Sequence, residues 1–165
     1  MRTRIALAAL LLLLTACGDP KMTAEPSVTS SPTSSSTPAP PKRESPQHFI
    51  RRWAAEETRM ENTGDASAYL AMSRRCRACR SLAAQVRRYY AAGGYVQWGG
   101  WRIKTIQRSG KRALVYTVSV VSTPTQYKPA SNRPTIHLQG GPAKHQLTIS
   151  FRRGWQLVSK VQVPS

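Results

Sequence analysis

Two cysteines spaced three residues apart are the residues of this chain best suited to chemistry. Cys76 and Cys79 enclose Arg77 and Ala78 at the predicted start of a helix. This spacing places the two Cα atoms about 5 Å apart, within the range that a disulfide can bridge. In an exported chain, which the N-terminal residues predict, such a pair is more often a disulfide than anything else. We therefore predict a structural disulfide between Cys76 and Cys79.

Two other uses of the cysteine pair stay open. The neighbouring arginines and a helix N-terminus would lower the pKa of a thiol, which favours a thiol-disulfide exchange site. The pair lies between predicted helices, however, whereas thioredoxin-like sites follow a strand. A closed zinc site needs four ligands, and only His48, His137 and His145 could complete one.

Residue patterns for catalysis are absent from the sequence. No carboxylate follows Asp65, so a glycosidase mechanism with two acids could draw only on the first helix and its end. A Ser-His-Asp triad would need the same few acids, and the chain has no nucleophile-elbow signature. We predict a non-catalytic protein with no cofactor and no metal site.

Two further motifs have a structural and a functional interpretation. His137 and His145 flank the turn at residues 140–142, and we expect two solvated loop histidines, with a pH-sensitive pair as the alternative. Trp98 and Trp101 enclose two glycines. We expect these tryptophans to fill a core where a strand begins, and stacking on a sugar is the alternative.

Charge is the most unusual property of the chain. The sequence has 25 Lys and Arg against 7 Asp and Glu, a net charge of +18, and 17 of those bases follow Asp65. A field of one sign attracts polyanions, although it also serves general solubility. We expect binding to anionic lipids or wall polymers, without specific nucleic-acid recognition, and the sequence leaves any protein partner unidentified. The residues predicted to bind are Arg74, Arg75, Arg77, Arg80, Arg87 and Arg88.

The N-terminus predicts export. Arg2 and Arg4 precede an apolar run at residues 5–14, which is too short to span a bilayer because a spanning helix needs about 20 residues. The run is typical of a signal peptide. Residues 14–17, Leu-Thr-Ala-Cys, resemble the lipobox of bacterial lipoproteins. That resemblance implies cleavage after residue 16 and a diacylglyceryl group, with chains such as palmitate, on Cys17. An ordinary secreted protein is the alternative.

The chain beyond the signal has two parts. Residues 17–44 comprise the lipidated Cys17 and a segment rich in Ser, Thr and Pro, which cannot form a core and predicts a disordered linker. Residues 45–165 are long enough for one domain. The predicted location is the outer, extracytoplasmic face of the cell membrane, where the lipid is the membrane contact.

The first half of the domain predicts three helices. Ser45 and Pro46 suit a helix start, and Phe49 and Trp53 begin an apolar face that continues to a stop at Gly64. A short helix at 66–72 follows. A third helix at 77–92 places apolar side chains on one face and Arg77, Arg80, Arg87 and Arg88 on the other.

The second half predicts strands. Four strands are indicated. Three have alternating apolar residues, at 101–105, 147–151 and 155–163, and the fourth is an apolar run at 113–121. A loop is expected at 122–142. The predicted fold is α+β, with about three N-terminal helices packed on a curved antiparallel sheet of four or more strands.

Two resemblances follow from these features. The first resemblance depends on four features: Trp53, the junction at residues 63–65, the cysteine pair, and Tyr90 followed by Gly93-Gly94. In these features the domain resembles a family of actinobacterial lipoproteins with no assigned activity. That resemblance implies the envelope location. The element order is also similar to the cone-shaped fold of nuclear transport factor two. This second resemblance implies a pocket between helices and sheet that binds or converts a small molecule.

Overall fold

The computed structural model describes residues 43–110 and 114–164. Within them, three helices come first: α1 (Pro46–Thr63), α2 (Ser67–Met72) and α3 (Arg77–Ala91). The strands follow as β1 (Tyr95–Trp98), β2 (Trp101–Ser109), β3 (Val115–Ser122), β4 (Thr125–Lys128), β5 (Ile136–Leu138), β6 (Gly141–Phe151) and β7 (Trp155–Val163). The predicted α+β class is confirmed.

The helix boundaries follow from local hydrogen bonds. The Ser45 hydroxyl accepts a hydrogen bond from the backbone N–H of His48 at 3.2 Å, which satisfies one of the free donors at the start of α1. Gly64 ends α1 with a φ of 75°. A Cβ atom at Gly64 would lie 2.8 Å from the Tyr90 ring, so glycine is needed here for space as well as for conformation.

The strands form two antiparallel sheets. One sheet has four strands in the order β2-β3-β6-β7, and the other has three in the order β1-β4-β5. The larger sheet carries the core face, with Val118, Leu147 and Leu157 fully buried. Phe49 and Trp53 of α1 are fully buried against this face together with Tyr69 of α2. The helices are therefore held by one continuous apolar core.

The predicted loop at 122–142 is wrong in part. Strands β4 and β5 lie inside it, and β6 begins at Gly141. Strand β1 was also not predicted; it pairs with β4 from Tyr95 opposite Lys128 to Trp98 opposite Thr125. These strands have three or four residues each, too few for an alternating pattern to be recognised, and they are stabilised by pairing between distant segments.

Two β-bulges correct the predicted strand faces. In β2 the register shifts between Ile103 and Thr105, so Thr105 is exposed and Ile106 takes the inward position. In β7 the register shifts opposite the step from Thr148 to Ile149. Beyond that shift, the alternating apolar residues no longer mark the inward face of the strand, and Val161 is 51% exposed. Lys160 occupies an inward position instead, opposite the buried Leu147.

Several predictions concern residues that the structure does not describe. The signal peptide, the lipidated Cys17 and the linker as far as residue 42 lie outside the described residues. Within residues 43–110 and 114–164, no helix combines the length and apolarity that crossing a bilayer would require.

Candidate functional site

A cavity of about 770 Å³ lies between the helices and the two sheets. This volume is within the range of small-molecule sites, roughly 300–1,000 Å³. The lining residues of the cavity come mainly from helices α1 and α3 and from strands β1, β2, β4, β5, β6 and β7. Its lining combines aromatic, apolar and ionisable side chains, among them Glu57, Glu61, Leu82, Val86, Tyr89, Trp98, Trp101, Tyr127, His137, His145 and Lys160.

A buried ion pair lies in the wall of this cavity. The Lys160 ammonium donates to Oε1 of Glu57 at 2.6 Å, and the Tyr69 hydroxyl donates to Oε2 at 2.9 Å. Glu57 is 2% exposed, so both of its carboxylate oxygens are satisfied inside the protein. Burial, followed by the negative charge of Glu57, raises the pKa of Tyr69, which therefore remains a hydrogen-bond donor.

The Lys160 ammonium also contacts aromatic rings. It lies 4.5 Å from the ring centroid of Trp101 and 5.5 Å from that of Trp53. Cation–π attraction and the Glu57 carboxylate together fix its position. The Glu57–Lys160 pair has no net charge, because each side chain is the counter-ion of the other.

Glu61 lies one helical turn after Glu57 and faces the same cavity. Within the described residues, no hydrogen bond or ion pair reaches its carboxylate, although the Tyr90 hydroxyl donates to its backbone carbonyl at 3.1 Å. Burial, followed by the charge of Glu57, raises the pKa of Glu61 to about 7. Near neutral pH this carboxyl group can therefore gain or lose a proton.

His145 is the second polar group of the cavity that lacks a partner. Its ring stacks on Trp101 at 4.4 Å between centroids and 8° between planes. The side chain is 7% exposed, and no hydrogen-bond partner of Nδ1 is found among the described residues. Burial, followed by the Lys160 charge, lowers the pKa of His145 to about 4, so the imidazole is neutral at physiological pH.

The local sequence explains how these groups meet. Glu57 and Glu61 are four residues apart and share a helix face. The Trp98–Trp101 segment turns the chain from β1 into β2, and its two indole rings pack edge to face at 6.3 Å. Gly100 makes this turn with a φ of 84°, and a Cβ atom there would lie 2.5 Å from Oγ1 of Thr58. The bulge in β7 turns Lys160 toward α1.

The cavity also corrects the histidine prediction. His145 lies in β6 and is buried, and His137 lies in β5 and is exposed, so two solvated loop histidines are not what the structure shows. Both side chains line the same cavity. Trp98 is 7% exposed, in line with the expected core role, yet Trp98 and Trp101 also face the cavity.

The arginines predicted to bind an anion lie outside the cavity. Arg77, Arg80, Arg87 and Arg88 are exposed on the outer face of α3, and Arg74 and Arg75 are exposed in the preceding turn. The Arg80 guanidinium donates to the Arg74 carbonyl at 2.6 Å, which brings these two residues together. Ion pairs among the described residues involve other cations, namely His48, Arg52, Arg59 and Lys160.

The predicted disulfide is confirmed. Cys76 and Cys79 are joined, with a Cα–Cα distance of 5.2 Å, and both residues are fully buried. The Cys76 sulfur accepts a hydrogen bond from the Cys79 N–H at 3.1 Å where α3 begins. Thiol exchange needs access for an attacking thiolate, so this burial gives no support to an exchange site. The bonded sulfurs are also not free to bind zinc as thiolates.

Comparisons with known proteins give only distant structural likenesses. No protein-family model and no curated protein matches the chain. The crystal structure of the intermembrane space region of the chloroplast protein ARC6 is similar over 72% of this chain and 94% of its own, with a TM-score of 0.47 and 9% identity. The structure of Aln2 from a Streptomyces species is similar over 74% and 94%, with a TM-score of 0.42 and 13% identity. The family resemblance drawn from the sequence is not established by these comparisons.

Proposed function

We propose that this domain binds a small organic molecule in the cavity between its helices and sheets. The observation that carries the proposal is the Glu61 carboxyl group, which faces the cavity without a hydrogen-bond or ion-pair partner among the described residues, beside the satisfied Glu57–Lys160 pair. A buried polar group without a partner costs roughly 1–3 kcal/mol, so buried polar atoms in native proteins nearly always have partners. A bound ligand would supply the partner that the Glu61 carboxyl group lacks.

The ion pair supports the same conclusion. Replacing a buried ion pair by well-packed apolar residues is often neutral or stabilising, so Glu57 and Lys160 are not needed for stability alone. A cavity of this size could also be filled by larger side chains, which would strengthen the core. The chain instead maintains an open, aromatic-walled space with ionisable groups. Such a combination is typical of a binding site.

We further propose that the protein works at the outer face of the cell membrane. The support is the sequence alone: the predicted signal peptide at residues 1–16, the lipobox-like residues that end in Cys17, and the predicted linker as far as residue 44. A single acyl chain binds a membrane only weakly and reversibly, whereas two or more chains hold a protein there stably. The proposed anchor would therefore be stable. In that position the cavity would sample solutes outside the cell.

Filling the cavity tests the binding proposal. Leu82 of α3 lines the cavity, and Leu82→Trp would place an indole inside it. Ala84→Trp adds the same ring on the exposed side of α3 and serves as the control. The whole chain, carrying Cys17→Ser to keep it unlipidated, is screened against a library of neutral, cationic and anionic small molecules. We expect ligands that bind the parent and Ala84→Trp but not Leu82→Trp. A library with no such ligand would refute the proposal.

A second candidate function is binding of an anionic envelope component through the exposed arginines of α3 and the preceding turn. The observation that favours it is one helix face of cations that are not in ion pairs with described acidic residues. Each basic side chain near an anionic lipid surface contributes about 1 kcal/mol. The two functions use opposite faces of α3, so one protein can have both.

A further inference from the structure

The electrostatic balance of the cavity determines what kind of ligand fits it. Lys160 and Glu57 neutralise each other, and the two rings beside Lys160 occupy further faces of its ammonium group. His145 is neutral at physiological pH and supplies no charge. Of the described residues that line the cavity, Glu61 is then the acid without a counter-ion. When Glu61 is ionised, the side chains that line the cavity carry one negative charge without a positive partner.

The position of the acids is notable because acids are so few. The described residues contain five carboxylate side chains, Glu44, Glu56, Glu57, Glu61 and Asp65. Two of them, Glu57 and Glu61, face the cavity. The remaining three form ion pairs near the surface with His48, Arg52 or Arg59. A strongly basic chain thus has a cavity whose unpaired charge is negative.

The remaining walls suit an apolar body attached to a cation. Trp98 and Trp101 face the cavity, and Tyr89 stacks on Tyr127 at 5.6 Å between centroids beside it. Aromatic faces attract cations as well as apolar groups. The His145 ring, which stacks on Trp101, extends this aromatic wall.

We propose that the cavity selects small organic amines, with the protonated nitrogen paired to the Glu61 carboxylate and an apolar or aromatic body against Trp98 and Trp101. This inference rests on the proposed binding function and specifies its ligand class. Recognition requires no chemical step: one ammonium group replaces the partner that the Glu61 carboxylate lacks. A charged hydrogen bond of this kind is roughly twice as strong as a neutral one.

A matched series of three probes tests the ligand class. The compounds 2-phenylethylamine, 2-phenylethanol and 3-phenylpropionate share one aromatic body and end in a cation, a neutral group and an anion. Calorimetry at pH 8 with the whole Cys17→Ser chain should show the amine binding about tenfold or more tightly than the alcohol, since tenfold corresponds to one charged hydrogen bond. The anion should bind more weakly still.

A variant at Glu61 assigns the preference to one carboxylate. Glu61→Gln should reduce the amine affinity to that of the alcohol and leave alcohol binding unchanged. Glu56→Gln, on the same helix but paired with Arg59 outside the cavity, is the matched control and should retain the preference. Leu82→Trp should abolish amine binding and Ala84→Trp should not, which would place the amine in the cavity.

The pH dependence gives a readout that an altered fold would not reproduce. Because the pKa of Glu61 is about 7 and an alkylamine stays protonated, amine affinity should rise about tenfold from pH 6 to pH 8 as the ionised fraction grows. The titratable and charged groups that share the cavity are Glu57, Lys160, His145, His137, Tyr89 and Tyr127. A His137→Gln variant should keep the dependence, and Glu61→Gln should remove it.

The outcomes separate the two proposals. Equal or stronger binding of the alcohol or the acid, an amine preference that survives Glu61→Gln, or failure of all three probes would overturn the amine inference. If other library compounds still bound in the cavity, the proposed function would remain. Calcium chloride in the same titration shows whether Glu61 instead holds a metal ion; saturable calcium binding that Glu61→Gln removed would also overturn the inference.

Discussion

The Nζ atom of Lys160 lies 2.6 Å from Oε1 of Glu57 and joins β7 to α1 across 103 residues of sequence. The contact depends on the bulge in β7, because the register shift sets which of the following side chains face α1. Lys160 is 17% exposed and Glu57 is 2% exposed, so both charges are removed from most of the surrounding water.

Removing one partner of this pair should destabilise the domain. We expect Lys160→Met to lower the free energy of unfolding by about 3 kcal/mol, because Glu57 would remain buried without its counter-ion. The double variant Glu57→Gln, Lys160→Met should recover much of that loss, since no unpaired charge is left. Urea denaturation of both variants measures the difference. A double variant no more stable than Lys160→Met would show that the loss came from packing rather than charge.

The disulfide should stabilise the domain modestly. Its ring is small, and loop-closure entropy for four residues gives about 2 kcal/mol. We expect the Cys76→Ser, Cys79→Ser double variant to unfold with a free energy lower by this amount. Thiol labelling of the denatured, unreduced protein should find neither cysteine reactive. Recovery of both as free thiols from cells would instead favour a redox function.

Two cavity groups should affect the pH dependence of stability in opposite directions. Burial raises the pKa of Glu61 from 4.5 to about 7, so between these values the folded state binds more protons than the unfolded state. Stability from this group therefore falls as pH rises. The pKa of His145 is lowered from 6.5 to about 4, so between those values the unfolded state binds more protons and stability rises with pH. Between pH 4.5 and 6.5 the two effects oppose each other.

Single variants separate these two effects. In Glu61→Gln, the His145 effect remains, and the free energy of unfolding should rise from pH 5.5 to 6.5. In His145→Gln, the Glu61 effect remains, and the free energy of unfolding should fall from pH 5.5 to 7. Both ranges lie above the ordinary pKa of Glu44 and Asp65, whose lowered pKa values make stability rise with pH in more acidic solution. Denaturation at a series of pH values measures both slopes. Slopes of the same sign in the two variants would contradict the assignment of these pKa shifts.

The sequence predicted the helices and the disulfide because their signals are local. Ser45, Gly64 and the spacing of Cys76 and Cys79 act within a few residues, and the structure confirms each of them. The cavity depends on long-range relationships. No local pattern near Lys160 predicts the bulge that turns it inward. From the sequence, the two carboxylates of α1 that line the cavity, Glu57 and Glu61, are recognisable only as members of a helix face.

The position of His145 also depends on pairing between distant segments, which local sequence does not show. A histidine next to Gly140, Gly141 and Pro142 has the local sequence of a loop, yet pairing with Val118 of β3 places it inside the larger sheet. A signal was available in retrospect: positions 143, 145, 147 and 149 alternate with polar residues, and this period of two extends the predicted strand toward the N-terminus.

The lipid anchor is tested at Cys17. We expect Cys17→Ser to release the protein from the membrane fraction or to block its maturation, because the acyl chains would have no attachment site. Fractionation of cells, followed by mass measurement of the protein, detects both outcomes. A variant that was processed and retained like the parent would contradict the lipoprotein prediction.

The arginine surface is tested with charged vesicles. We expect the unlipidated chain to bind anionic vesicles and to ignore neutral ones, and Arg80→Glu, Arg87→Glu, Arg88→Glu to reduce binding strongly. The matched triple is Lys128→Glu, Arg133→Glu, Lys144→Glu, which makes the same change in net charge away from α3. Vesicle co-sedimentation compares the two. Equal losses would mean that charge is diffuse and that α3 forms no site.

Salt separates surface attraction from binding in the cavity. The screening length falls from about 10 Å at 0.1 M salt to about 3 Å at 1 M, so contacts between exposed arginines and a vesicle should weaken strongly. An amine in the cavity beside the half-buried Glu61 is less accessible to counter-ions than the exposed arginines are, and it should lose less of its affinity. Vesicle binding that persisted in 1 M salt would rule out the arginine surface as its cause. Amine binding lost over the same range would place the ligand on the exterior, and the cavity would then need another occupant.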